Sequence, residues 1–187
     1  MSRYVLDKSS STFTVRAFAA GMLSSFGHDP TLMFRDFSGE VNLSPDRPAD
    51  SSLALKVRAD SLEVTNDISG SDRREIEGTA RGDVLETAKY PEISFQSTRA
   101  ALNSVGEGRY QVNINGNLSL HGVTVAVPIP AQVTVMGDLL RASGEFSISQ
   151  KQFGIKPVSA AGGALKLKDE LKLRFDIVGH AENGAQD

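Results

Sequence analysis

Few residues in this chain are of a type and spacing that could do chemistry. His28 stands in Phe26-Gly27-His28-Asp29-Pro30 and is one of 3 His in the chain. An imidazole beside a carboxylate can move protons, hold a polar head group, or ligate a metal if His121 joins it. The same pair can equally fix the turn ahead of Pro30, since three scattered His form no recognised ligand spacing. His121 lies in Leu120-His121-Gly122-Val123, where the adjoining Gly points to a hairpin turn. His180 reads as exposed. Asp29, Asp72, Glu75 and Glu86 become acids or bases only if the fold pairs them; otherwise they are solvated charges. Arg73 and Arg74 could meet a phosphate or carboxylate head group, or simply balance Glu75 and Glu77.

Several chemistries are excluded. With 0 Cys there is no disulfide scaffold, thiolate nucleophile or Cys-ligated zinc. Ser9-Ser10-Ser11 and Ser24-Ser25 lack the Gly-x-Ser-x-Gly elbow of serine hydrolases. Ala160-Ala161-Gly162-Gly163-Ala164 lacks the Lys-Ser/Thr of a nucleotide loop and reads as a flexible connection able to gate an opening. A net charge of -3 gives no reason to expect nucleic acid as a partner. No cofactor is implied and no metal motif is present. The opening Met1-Ser2-Arg3-Tyr4-Val5-Leu6-Asp7 lacks the basic region and apolar run of a signal peptide. The expectation is a cytoplasmic chain, or a periplasmic one if a leader has been removed. No window is apolar and long enough to span a bilayer.

The elements that must position these residues alternate with period two. Phe13, Val15 and Ala17 share a face, as do Leu53, Leu55, Val57 and Ala59. So do Ile93 and Phe95; Tyr110, Val112 and Ile114; Phe146 and Ile148; and Leu171, Leu173, Phe175 and Ile177. One dry and one wet face mark antiparallel strands. Turns are signalled at Ser44 to Pro48, Asn103 to Gly108, His121-Gly122 and Gly137-Asp138. One segment differs: Ile76, Ala80 and Val84 recur every four residues, which predicts a helix over 71–85. Ser71 or Asp72 could cap it, Glu77 and Arg81 form an i,i+4 pair, and Gly78 and Gly82 weaken it. The chain of 187 residues is expected to form a single domain, with 182–187 as a frayed tail. Alternation with short turns fits a barrel or a sandwich, and is satisfied by an ordinary filled core.

Read in order, the landmarks resemble the YceI-like, polyisoprenoid- and lipid-binding family. They are Tyr4 to Asp7, Phe37 to Val41, Ser61 to Thr65, Tyr90-Pro91-Glu92-Ile93-Ser94-Phe95-Gln96-Ser97, Gly116 to Thr124, and Phe153-Gly154-Ile155. The resemblance implies a mainly β fold, a lipocalin-like closed antiparallel barrel with one accessory α-helix. It implies an isoprenoid-type, amide-like or fatty-acid-like lipid inside the barrel, no catalysis, and assembly as a homodimer. On that reading the interior and mouth are formed by Phe13, Val15, Phe26, His28, Phe37, Leu55, Val57, Arg74, Phe95, Val112, Ile114, Val125, Phe146, Ile148, Phe153 and Phe175. The absence of Trp and the small residues Ala17, Ala59 and Gly116 favour room inside. Two alternatives remain: a solid barrel that serves as a dimeric interaction module, and an enzyme using His28 and Asp29 on a small apolar substrate.

Overall fold

The computed structural model describes residues 1–20, 29–160 and 165–182. The strands are β1 (Ser2–Leu6), β2 (Thr12–Ala20), β3 (Thr31–Phe34), β4 (Phe37–Leu43), β5 (Ser52–Arg58) and β6 (Leu62–Val64). After the helix α1 (Gly70–Thr79) come β7 (Glu92–Gly106), β8 (Arg109–Leu120), β9 (Val123–Met136), β10 (Leu139–Ser149), β11 (Ser159–Ala160) and β12 (Leu165–Ala181). Every pairing among them is antiparallel, as the wet–dry alternation requires.

Eight strands close on themselves in the order β1-β4-β5-β7-β8-β9-β10-β12, with β12 returning to β1. Tyr4 is the closing residue, set between Val41 of β4 and Ala181 of β12. Closure abolishes sheet edges and fixes an inside and an outside. Further along the same edge of β12, β2 takes over from β1, pairing Phe13 with Phe175 and Ala17 with Leu171. It carries β3 and then β6 outward as a three-stranded flap. At this end the wall is therefore the flap and α1 rather than a continuous sheet.

The helix lies close to where its apolar spacing predicts, but Ser69, not Ser71 or Asp72, is the N-cap. Its hydroxyl accepts the Asp72 N–H at 3.0 Å. A single π-helical turn (Ala80–Val84) continues it to the end of the predicted span. The side chains at 73, 77 and 81 meet the free edge of β6. Arg73 donates to the carbonyls of Val64 and Asn66, and Arg81 to those of Asp60 and Leu62. Glu77 accepts the Val64 N–H at 2.9 Å, and its carboxylate lies 3.5 Å from Arg81. Arg73 is thus a strand clasp rather than a head-group ligand, and Arg74 points to solvent on the outer side of the helix.

One further expectation is revised. Asn103 to Gly106 do not turn but extend β7, pairing with Arg109 to Gln111, so only Glu107 and Gly108 form the hairpin tip. A long strand, β9, runs through Pro128 and Pro130. A proline cannot donate to a ladder, and β9 pairs with β10 only between Gln132–Ser143 and Met136–Leu139. Beyond that point the two strands splay. The 3-10 turn Gln150–Phe153 packs against β9 there, and the Phe153 side chain is fully buried.

Candidate ligand cavity

The inward residues of the barrel leave a cavity of about 620 Å3. That lies within the roughly 300–1,000 Å3 common for small-molecule sites. It is walled on β2 by Phe13, Val15 and Ala17, on β5 by Leu53, Leu55 and Val57, and on β7 by Ile93 and Phe95. Val112, Ile114, Phe146, Ile148, Leu171, Leu173, Phe175 and Ile177 complete much of the rest. On β12 the lining runs from Lys166 to Ile177. At about 3.3 Å per residue and a strand tilt of about 40°, this stretch covers roughly 28 Å of barrel axis. The cavity is therefore long and apolar, a shape suited to a chain rather than a disc.

Period-two spacing works here because only one parity of each strand faces in. Of the residues expected inside, Phe13, Val15, Leu55, Val57, Phe95, Val112, Ile114, Phe146, Ile148 and Phe175 all lie on this wall. Four others do not. Phe37 belongs to the core beneath the flap, edge-on to Phe13 with ring centroids 4.7 Å apart. Phe153 fills the β9–β10 splay, and Val125 sits on the stretch of β9 that this turn covers. Arg74 is exposed. Phe26 and His28 lie outside the described residues, as do Ala161 to Ala164 of the expected gating connection.

The sources of space also need correction. Ala17 faces the cavity, but Ala59 is buried at the start of a 3-10 turn after β5, off the wall. At Gly116 the missing side chain is replaced by the Phe95 ring, since a Cβ there would lie 2.3 Å from Phe95 Cζ. Small residues not singled out beforehand, Ala100, Ala131 and Ala142, contribute room instead. So does the run Ile129-Pro130-Ala131-Gln132-Val133, whose alternation is masked by proline. The predicted helix face also lines the cavity, with Ile76, Ala80 and Val84 turned inward and Thr79 beside them. Asp72 and Glu75 of α1, Ala19, Pro30, Val158 and Lys166 mark the mouth.

The candidate proton-transfer residues are otherwise engaged. The Asp29 carboxylate accepts the Ala19 N–H at 2.7 Å and an Arg16 N–H at 3.0 Å. The backbone bond from Ala19, and then Arg16, hold this carboxyl below the usual carboxylate range. Such a group is an ion that ties β2 to the start of β3 rather than a ready base. His121 is at the turn its sequence predicts, with φ of 53° followed by Gly122 at 74°. Its Nε2 lies 2.5 Å from Glu86 Oε2, its Nδ1 3.3 Å from the Phe153 carbonyl, and its ring packs on Tyr90 at 4.6 Å. His121 thus fastens the segment leaving α1 to the β8–β9 hairpin. His180 is exposed, 3.6 Å from Asp7. Among the described residues, no three His, Asp or Glu side chains come together as a metal site.

The match to known proteins agrees with this geometry. Residues 4–179 match the YceI-like domain. The chain belongs to the YceI-like domain family. It is 32% identical over 108 residues to Protein YceI of Escherichia coli O157:H7, covering 56% of this chain and 49% of that protein. A UPF0312 protein of Azotobacter vinelandii is 31% identical over 131 residues, 69% of this chain and 60% of its own length. The chain spans about half the length of the first curated relatives it matches. Among solved structures, Burkholderia cenocepacia BcnA superposes with a TM-score of 0.71 at 19% identity, covering 92% of this chain and 98% of that one. A polyisoprenoid binding domain from Saccharophagus degradans gives 0.68 at 15% identity, covering 97% and 100%. At these identities the YceI-like barrel with its single helix is what the superpositions share.

Proposed function

We propose that this YceI-like chain is a non-catalytic carrier or sequestering protein for a long apolar lipid held inside its barrel. The observation that carries the reading is the cavity, roughly as long as β12 and lined almost wholly by aliphatic and aromatic side chains. Burying hydrocarbon yields about 0.8 kcal/mol per CH2, so a long chain needs shape and volume but no special chemistry. The polyisoprenoid-binding description of the Saccharophagus degradans domain supports an isoprenoid-type occupant. The commitment of Asp29 to Ala19 and Arg16 weighs against an acid–base role for the His28–Asp29 pair. Homodimer assembly belongs to the same reading, with light scattering as its measurement.

Organic extraction of the purified protein, followed by mass spectrometry, tests the proposal. A single apolar class recovered near one molecule per chain is the expected result. Recovery of nothing, together with failure of the stripped protein to take up a C20 isoprenoid alcohol in calorimetry, would overturn it.

A further inference from the structure

One polar side chain is built into the apolar wall and is left with an open end. Gln150 lines the cavity beside Ile148, Ile155 and Leu171, and only 3% of its surface is accessible. It begins the 3-10 turn that follows β10, and its backbone carbonyl accepts the Ile155 N–H at 3.0 Å, so its position is fixed. Its side-chain Nε2 donates to the Lys168 carbonyl at 2.9 Å. A carbonyl can only accept, so this bond sets the amide orientation and leaves Oε1, with the second Nε2 hydrogen, uncommitted among the described residues. Among the described residues Oε1 meets no donor, yet none of their side-chain polar atoms is sealed away unpartnered. Among the described residues Oε1 is thus available to a donor within the cavity that Gln150 lines.

A bare hydrocarbon would leave the Oε1 carbonyl without a donor, whereas a head group with an O–H or N–H would satisfy it. Nearby charge does not compensate. The adjacent Asp169 is already held by the Ser149 hydroxyl at 2.6 Å and the Lys151 N–H at 2.9 Å. On the helix side, Arg73 and Arg81 are bound to β6 carbonyls. The charged residues of the lining, Asp72 and Glu75 of α1 and Lys166 and Arg174 of β12, carry no net positive charge, a poor setting for a multiply charged anion.

We propose that Gln150 is the polar anchor of the cavity, accepting a hydrogen bond from an uncharged O–H or N–H at the head of the ligand. The preferred class is then an apolar-chain alcohol, phenol or amide, in preference to an ether, a hydrocarbon or a diphosphate. This inference rests on the carrier reading above and gives it a specificity.

The test compares geranylgeraniol with geranylgeranyl methyl ether, which keeps the chain and oxygen but has no donor. Both are titrated into stripped protein by calorimetry, for the native chain and for Gln150→Met. The native chain is expected to favour the alcohol by about tenfold, and Gln150→Met to bring the two within about twofold while still binding the ether. Equal binding of the two by the native chain would overturn the Gln150 assignment and leave the carrier reading intact. A preference that persists in a folded Gln150→Met variant would do the same. Binding of neither ligand by the native chain would overturn the carrier reading itself. The native comparison decides the matter even if the variant does not fold.

Discussion

The Glu77 carboxylate accepts the backbone N–H of Val64 at 2.9 Å, a helix side chain standing where a neighbouring strand would be. Arg73 and Arg81, one turn to either side, take the carbonyls of residues 60, 62, 64 and 66 along the same edge. Three side chains at i, i+4 and i+8 thus satisfy the outer edge of the flap that ring closure leaves exposed.

Removing the middle one should be felt twice. Glu77→Ala leaves the Val64 N–H unpaired on a largely covered edge, which should cost about 1–3 kcal/mol in urea unfolding. Free strand edges also invite pairing with another chain. The double variant Arg73→Ala/Glu77→Ala is accordingly expected to self-associate with rising concentration in light scattering. A variant that matched the native chain in both measurements would show that helix packing alone protects β6.

Glycine substitutions should separate two positions that look alike in sequence. A Cβ at Gly116 would meet Phe95 Cζ at 2.3 Å and the Gln96 carbonyl at 2.6 Å, and the second is backbone that cannot swing away. Gly116→Ala should lower the urea midpoint, equivalent to about 1–3 kcal/mol, with little change in slope. At Gly78 nothing lies within 4 Å of a Cβ. Gly78→Ala, in the exposed interior of α1, should stabilise by about 0.5–1 kcal/mol.

These contrasts explain what could be read from the chain alone. Leu53, Leu55 and Val57, or Leu171 to Ile177, reveal their facing because burial on one side of a strand imposes period two directly. Ile76, Ala80 and Val84 reveal a helix for the equivalent reason, and His121-Gly122 reveals its turn through local backbone preference. Barrel closure was not legible without the family resemblance, because Tyr4 meets Ala181 only across nearly the whole chain. Asn103 to Gly106 look like a turn and Pro128 and Pro130 look like strand breakers. In both places distant partners override the local preference. Gln150 carries no periodic signal at all; its meaning depends on Lys168 and on the cavity beyond it.

Acid should act through Asp29. Its carboxyl is held below the ordinary value of about 4 chiefly by the Ala19 N–H, with Arg16 adding to the effect. A depressed native value means that the unfolded chain binds the proton more readily. The contribution is therefore full above about pH 4 and is lost as pH falls through the native value. Asp29→Asn should thus be less stable than the native chain at pH 7, with the gap closing below about pH 4. Urea midpoints for both proteins across pH 3 to 7 would show it, and a gap that stayed constant would assign the shift elsewhere.

Blocking the cavity should dissociate binding from folding. Ala17 is buried and faces the interior between Val15 and Ala19, opposite Leu171 on β12. A larger side chain there can enter vacant volume, whereas in a filled core it would force neighbours off their rotamers at about 1–3 kcal/mol. Ala17→Phe is therefore expected to keep the native thermal midpoint within a few degrees, or to raise it in stripped protein. Uptake of a C20 isoprenoid alcohol should fall by at least tenfold. The native chain at ligand near 100 times Kd should gain about 2.7 kcal/mol of apparent stability, and the variant should lose most of that gain. If Ala17→Phe unfolded more easily yet retained the ligand-induced shift, the space beside Ala17 would be packed core and the ligand would lie elsewhere in the barrel.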